Sequence, residues 1–328
     1  MDPLKNSDSQ KQKQDCQPRG KQCDRRDFLK GAAKFAALGG AAMLSGCGTD
    51  ALGSKEELSL RFKEYFKKNY RLMTQEEKEE TVRRLERLAK IQDGVNVQMS
   101  SRAPIENVLY GYAFNITRCE GYMECVSACV KENNLDRRSN TQYIRIFEME
   151  NGKMSPDVGD GKFFHKVPVA DHFYMGVQCF HCQDAPCTKA CPVKATWIEP
   201  DGIVVVDYDW CIGCRYCIAA CPYYGRRFNW NKPEVPKDEM TKKQHYLGNR
   251  MRRSGQMEKC TFCIQRTRDG RLPACVEACP TGSRVFGNLL DPNSEIRFVL
   301  KNKKVFRHKE DPYPDPLGTD PKFWYFID

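Results

Sequence analysis

Cys211-Ile212-Gly213-Cys214-Arg215-Tyr216-Cys217-Ile218-Ala219-Ala220-Cys221-Pro222 is the stretch on which the architecture turns. Its cysteines stand at x2, x2 and x3 spacing with a proline behind the last, the bacterial run that ligates iron–sulfur clusters. Upstream, Cys179-x2-Cys182-x4-Cys187-x3-Cys191-Pro192 is the same run with a longer gap. Downstream, Cys260-x2-Cys263-x11-Cys275-x3-Cys279-Pro280 is a third version, opened by an insertion. Cys119-x5-Cys125-x3-Cys129 is the fourth, with Tyr122 where the second cysteine would stand. Fifteen of the 18 cysteines fall into these four groups.

A cubane needs about four thiolates around one compact core. Three come from one tight loop, in which x2 spacing turns successive sulfurs inward. The fourth comes from another run, because the chain cannot fold back sharply enough to supply it. The proline ends the hydrogen bonding of the loop and helps fix that last approach. In two-cluster ferredoxins each run gives three cysteines to one cluster and its last to the other. Zinc ribbons also use Cys-x2-Cys pairs, so a structural or regulatory zinc-binding protein is the alternative. Their pairs seldom carry a third cysteine at x2 followed by x3-Cys-Pro. Repeated adjacent thiols also make a poor disulfide framework, even in an exported chain.

Between the second and third groups, Ile198 to Val206 is expected to form a hairpin around Asp201-Gly202. Loop, short helix, hairpin, loop and short helix make one ferredoxin module over 171–222. Groups one and four, in 105–170 and 260–286, can form a second module only if the first is inserted between them. The predicted fold is α+β: two nested bacterial-type 2×[4Fe–4S] ferredoxin modules with an N-terminal helical extension over 48–104. In that extension Thr74-Gln75-Glu76-Glu77 is a capping box. It opens an amphipathic run with Val82, Leu85, Leu88 and Ala89 on one face, ending near Gly94. Strands are predicted over Val108–Ile116 and Tyr143–Met149, with a turn at Asn151-Gly152 and a loop at Asp157–Gly161. Residues 223–259, with Lys237, Lys242, Lys243, Arg250, Arg252 and Arg253, are expected to be a polar surface insertion. The tail 287–328 ends in Phe323-Trp324-Tyr325-Phe326, which must pack, most simply on the chain itself.

Arg25-Arg26-Asp27-Phe28-Leu29-Lys30, followed by the Ala- and Gly-rich stretch Ala32–Leu44, is a twin-arginine export signature, so 1–47 is predicted to be a signal peptide. That route carries folded proteins and suits a cluster protein loaded before export to the periplasmic side. Leu44-Ser45-Gly46-Cys47 also matches a lipoprotein box, which makes Cys47 a candidate for lipidation. Cys16 and Cys23 lie in the leader and have no expected role. The 328 residues, 40% hydrophobic, suffice for one or two modest cores and contain no other segment long enough to span a bilayer. The formal charge of +10 counts cysteines as neutral. Each cluster with its thiolates brings about −2, so four would cancel most of the excess. No basic stripe interleaved with aromatics points to nucleic acid. No P-loop, dinucleotide fingerprint or nucleophile elbow points to an enzyme with its own substrate.

From Cys119 to Cys279, about half the chain, the sequence resembles the four-cluster electron-transfer subunits of complex iron–sulfur molybdoenzymes. The group order and the x11 gap carry the resemblance. Cys260-Thr261-Phe262-Cys263, Cys275-Val276-Glu277-Ala278-Cys279-Pro280 and Gly318-Thr319-Asp320-Pro321 look like the exported branch. That branch includes sulfite-reduction-associated complexes, alternative complex III and polysulfide-reductase-like quinone enzymes. The resemblance implies four ligand sets: Cys179, Cys182, Cys187 and Cys221; Cys211, Cys214, Cys217 and Cys191; Cys260, Cys263, Cys275 and Cys129; and Cys119, Cys125 and Cys279. It also implies docking on a polytopic quinone-interacting membrane subunit, with a molybdopterin-type or multihaem cytochrome subunit as a further partner. No catalytic residue is expected. At the Tyr122 site three outcomes stand: a [3Fe–4S] cluster on three thiolates, a four-iron cluster completed by Glu120 or Glu124, or no cluster, with Tyr122 filling the corner. The first gives three [4Fe–4S] clusters and one [3Fe–4S]. An open iron at that site doing its own redox chemistry is a further alternative. His181 is expected on the surface of its loop.

Overall fold

The computed structural model describes residues 72–152, 161–307 and 317–328, all within the compact unit Ser54–Asp328. The leader, with Arg25, Arg26, Cys16, Cys23 and Cys47, lies outside the described residues, as does the first part of the expected extension.

Helix α1 (Gln75–Gln92) begins at the predicted capping box: the Thr74 hydroxyl accepts from the Glu77 amide, and the Glu77 carboxylate accepts from the Thr74 amide. Both bonds satisfy amides the helix itself leaves open. Leu85 and Ala89 are buried, while Val82 and Leu88 are half-buried. Gly94 follows the helix with φ +67°, just past the Asp93 cap. Ala89 joins Val95, Val97 and Met240 in a small core, so α1 is packed on the later segment. Strand β1 (Gln98–Ser100) extends that contact.

Strand β2 (Tyr110–Asn115) is buried at every position. Alternation puts Tyr112 and Phe114 on one face and Gly111 and Ala113 on the other. Helix α2 (Glu124–Glu132), strand β3 (Arg145–Glu150) and strand β4 (His172–Val177) follow. Then come helix α3 (Pro186–Lys189), strands β5 (Thr196–Ile198) and β6 (Val204–Val206), and helix α4 (Tyr216–Ala219). Strands β7 (Arg226–Phe228), β8 (Lys243–His245) and β9 (Met257–Lys259) precede helices α5 (Ile264–Thr267) and α6 (Ala274–Glu277). Strand β10 (Arg284–Asn288), helix α7 (Glu295–Asn302) and strands β11 (Lys304–Phe306) and β12 (Phe323–Ile327) complete the order.

Among the described residues the largest sheet runs β10-β2-β12-β11. Strand β12 lies parallel to β2, opposing Phe323 to Tyr112 and Tyr325 to Phe114. The rings of Tyr112 and Phe323 stack at 5.1 Å. Ala113 on the other face packs with Val285, Ile296, Val299 and Phe326. The terminal aromatic run is therefore a strand of the central sheet. Antiparallel β10 and β2, with α6 against α2, bring the first and fourth cysteine groups together. Strands β5 and β6 form the expected hairpin, closed by Gly202 N to Glu199 O at 2.8 Å with Gly202 at φ +81°. Helices α3 and α4 pack on each other beside it.

Residues 223–259 depart from the expected surface insertion. Lys237, Lys242, Lys243 and Arg253 are exposed, but Gln244, His245, Asn249, Arg250 and Arg252 are buried. Composition does not distinguish solvated charges from paired ones. Arg252 pairs with Glu258 at 2.5 Å and Arg250 with Asp209 at 3.3 Å, and β8 joins β1 in a parallel pair.

His245 is fully buried. Its Nδ1 accepts from the Leu247 amide at 3.2 Å, so Nε2 carries the proton donated to the Arg102 carbonyl at 3.1 Å. Burial, then the charges of Arg268 and Lys78, push its pKa down to about 3 against the favourable Arg102 carbonyl. Below about pH 6.5 the unfolded chain takes up a proton that the folded chain refuses, so stability falls as pH drops from about 6.5 towards 3, by about 1.4 kcal/mol per unit. His245→Gln should remove that share of the acid loss. Unfolding of the two proteins at pH 7 and pH 5.5 checks it, and parallel losses would refute it.

Candidate metal centres

Each cysteine loop turns on a residue in a backbone conformation that L side chains rarely adopt. Two positions after the first cysteine of each group stand Gly121, His181, Gly213 and Phe262, with φ of +76°, +46°, +74° and +51°. A left-handed residue there reverses the backbone between the paired positions of an x2 step. Gly121 keeps this geometry before Tyr122, so the first group retains the loop although it lacks the cysteine. Three residues after Cys191, Cys221 and Cys279, the amides of Lys194, Tyr224 and Gly282 bond back to the cysteine carbonyls at 3.3, 3.3 and 3.4 Å.

These loops gather the cysteines into four groups. Cys191, Cys211, Cys214 and Cys217 line one cavity of about 330 Å³, with Arg226 and Met257. Burial raises the Cys217 thiol to about 11. Around Cys182, raised by burial and then by neighbouring Cys179, stand Cys221 and Cys187 as well. Cys129 is pushed well above the ordinary range by burial, and Cys263, Cys260 and Cys275 act on it most. The Asn133 amide nitrogen spans this group, 3.5 Å from Cys129 Sγ and 3.6 Å from Cys263 Sγ. Cys119, Cys125 and Cys279 line a second cavity of about 310 Å³, with Glu120, Tyr122 and Arg284. Burial raises Cys119 to about 11. It would raise Cys279 too, but the Thr281 hydroxyl and the Ser283 amide outweigh it and lower that pKa.

Among the described residues no three His, Cys, Asp or Glu side chains converge on a single ion. Thiols grouped three and four to a cavity suit a multi-atom inorganic core. Two buried donors beside them, Arg226 Nε and Arg284 Nη2, have no acceptor among the described residues. Thiolate and sulfide are the acceptors such a core would supply, so the donor set fits iron–sulfur clusters.

Tyr122 lines the vacated corner, with 45% of the residue exposed and its hydroxyl donating to the Glu120 carboxylate. One expectation fails here: His181 is not on the surface. It is fully buried, accepts the Val204 amide at 2.9 Å through Nδ1, and stacks on Phe262 at 3.6 Å. Burial, then Lys259 and Lys322, keep its ring neutral. Sequence reasoning also misses the buried cations Arg226, Arg284 and Lys259. A signal exists: Arg226 and Arg284 each stand five residues after the last cysteine of a run, Cys221 and Cys279.

Residues 170–251 and 248–289 match the 4Fe-4S dicluster domain family. A selenate reductase subunit of Mesobacillus selenatarsenatis is 32% identical over 316 residues, 93% of this chain and 97% of that one. The Hdr-like menaquinol oxidoreductase iron–sulfur subunit 1 of Archaeoglobus fulgidus is 36% identical over 243 residues, covering 66% and 82%. The iron–sulfur cluster-binding subunit of the menaquinone reductase of Nitratidesulfovibrio vulgaris is 33% identical over 244 residues, covering 66% and 88%. The four-run pattern, the cysteine loops and similarity along most of those subunits lead to one conclusion: this protein belongs to the ferredoxin-like iron–sulfur electron-transfer subunits of oxidoreductase complexes, the family of complex iron–sulfur molybdoenzyme and menaquinol oxidoreductase subunits.

Proposed function

We propose that the chain holds three [4Fe–4S] clusters and one [3Fe–4S] cluster and relays single electrons between a quinone-reactive membrane subunit and a redox partner on the periplasmic side. The ligand sets of this reading are Cys191, Cys211, Cys214 and Cys217; Cys179, Cys182, Cys187 and Cys221; Cys129, Cys260, Cys263 and Cys275; and Cys119, Cys125 and Cys279 for the three-iron cluster. Two nested ferredoxin modules would carry them. The inner one is built on the β5–β6 hairpin and the outer one on α2, α6 and the β2–β10 pair.

The carrying observation is that the four groups adjoin in a fixed order. The Tyr112 hydroxyl, 3.4 Å from Cys275 Sγ, accepts from Arg284 in the cavity of Cys119, Cys125 and Cys279. Phe262 of the Cys260 loop stacks on His181 of the Cys179 loop at 3.6 Å. Arg226, in the cavity of Cys191, Cys211, Cys214 and Cys217, donates to Cys187 Sγ at 3.0 Å. Neighbouring groups in a line are what stepwise transfer requires. When bound, the clusters supply one-electron redox chemistry without proton movement. The protein's part is to hold the sulfurs, exclude water and fix spacing. At the three-thiolate site the Tyr122 hydroxyl donates to the Glu120 carboxylate, which disfavours Glu120 as a fourth ligand and leaves Glu124 as the carboxylate that could complete a four-iron cluster. The Arg25-Arg26 motif supports export. The menaquinol oxidoreductase and menaquinone reductase relatives are named for quinone chemistry, which supports a quinone-linked complex whose other subunit would be of molybdopterin or multihaem type.

Iron analysis with EPR on anaerobically purified protein tests the assignment. About 15 irons and a near-isotropic signal in the oxidised state are expected. About 12 irons with a silent oxidised spectrum would remove the cluster at Cys119, Cys125 and Cys279. Zinc without iron would overturn the whole reading.

A further inference from the structure

Four other buried arginines each have a carboxylate partner. Arg250 pairs with Asp209, Arg252 with Glu258, Arg266 with Glu132 and Glu277, and Arg268 with Glu199 and Asp201. Arg226, Arg284, Lys259 and Lys322 are equally buried, at 3%, 4%, 0% and 4% exposure. Among the described residues none of these four has a carboxylate within ion-pair distance. A buried cation without an anion is not sustainable in a fold that pairs its other buried arginines so consistently. The missing anions must be the occupants of the neighbouring cysteine groups.

Their placement is specific. Arg284 lines the cavity of Cys119, Cys125 and Cys279, and its Nη1 reaches the Tyr112 hydroxyl at 3.0 Å. That hydroxyl lies 3.4 Å from Cys275 Sγ in the next group. Arg226 lines the cavity of Cys191, Cys211, Cys214 and Cys217, while its Nη2 donates at 3.0 Å to Cys187 Sγ of the adjoining group. Lys259 donates to the carbonyls of Cys260 and Val204. The Val204 amide in turn holds His181, between Cys179 and Cys182. A buried cation therefore stands at each of the three junctions in the line, with Lys322 beside Lys259 at the middle one. Arg226 and Arg284 also occupy equivalent places, as the first residues of β7 and β10.

We propose that Arg284, Lys259 and Arg226 are junction cations. Each places positive charge between two consecutive clusters, so that it stabilises the reduced form of both and keeps their potentials close. This rests on the cluster assignment above. In each hop one electron leaves one cluster and arrives on the next, with no bond or proton moving. The added negative charge falls in a dry site, where an adjacent cation counts most. A cation shared by two neighbours raises both potentials together, leaving no steep step between them. The three side chains act through the clusters and are positioning residues.

The test is an EPR-monitored redox titration of the full chain, with signals assigned by Cys217→Ser and Cys125→Ser. Arg226→Met should weaken the reduced state of the two flanking clusters at least tenfold, or 59 mV per tenfold for one electron. The cluster at Cys119, Cys125 and Cys279 should move less than threefold. Arg284→Met should show the mirror pattern. Arg226→Lys keeps the charge while altering the bond to Cys187, and should stay within threefold of the unaltered protein. Equal shifts at all clusters, no shift, or a tenfold fall in Arg226→Lys would overturn the inference. If Arg226→Met fails to load iron, Arg284→Met, read at its own two flanking clusters against the distant one, decides. Absence of any iron–sulfur signal from the unaltered protein would instead sink the cluster assignment, and the inference with it.

Discussion

Gly213→Ala is expected to abolish loading of the cluster at Cys191, Cys211, Cys214 and Cys217, lowering iron by about four per chain. Gly213 sits between Cys211 and Cys214 at φ +74°, and a Cβ there would lie closer than 3.0 Å to the carbonyl oxygen of Gly255, with Phe228 Cε2 at 3.3 Å. Backbone cannot give way as a flexible side chain can. Gly255 is itself pinned, its amide bonded to the Asn229 carbonyl at 2.7 Å. The loop must move, and with it two of the four sulfurs. Gly270→Ala separates the two causes, since Gly270 has φ +76° but nothing within 4 Å of its Cβ position. That variant bears only the left-handed strain, about 1–2 kcal/mol, and should keep its iron. Equal iron in both variants and the unaltered protein would refute the steric argument.

That contrast marks what is legible in the sequence. Cysteine spacing locates the loops because x2 and x3 steps are local geometry, and a local turn is dictated by the residues within it. The Thr74–Glu77 cap and the hairpin around Gly202 are legible for the same reason. Pairing across the fold is not. Nothing local in Phe323-Trp324-Tyr325-Phe326 says that it lies beside Tyr112, more than two hundred residues earlier. His181 and the 223–259 segment mislead because polarity does not imply exposure. His181 is buried by stacking on Phe262 and by its bond from Val204, and Arg250 and Arg252 by their carboxylates. Arg226 and Arg284 escape notice because a strand's first residue carries no mark of its neighbours. Only the shared offset of five from Cys221 and Cys279 sets them apart.

Arg252→Met should destabilise the protein by about 3–5 kcal/mol, the cost of leaving one member of a buried ion pair alone. Neither the Arg252 nor the Glu258 side chain is accessible. Arg252 also donates to the carbonyls of Asn133 at 2.8 Å, Asn134 at 2.6 Å and Arg250 at 2.7 Å. Two of these carbonyls directly follow α2, the helix that carries Cys125 and Cys129. Methionine fills much of the volume but supplies no donor, so three carbonyls and one carboxylate lose their partner together. Glu258 retains the Tyr143 hydroxyl at 3.1 Å, one neutral bond against a full buried charge. For a unit of this size the apparent melting temperature at a fixed scan rate should fall by about 10 °C. The double variant Arg252→Met/Glu258→Leu removes the stranded charge and should recover much of that loss, since apolar replacement of a buried pair is often close to neutral. A double variant as unstable as the single one would show that the carbonyl bonds at the end of α2, rather than the charge pair, carry the energy. An unchanged single variant would refute both.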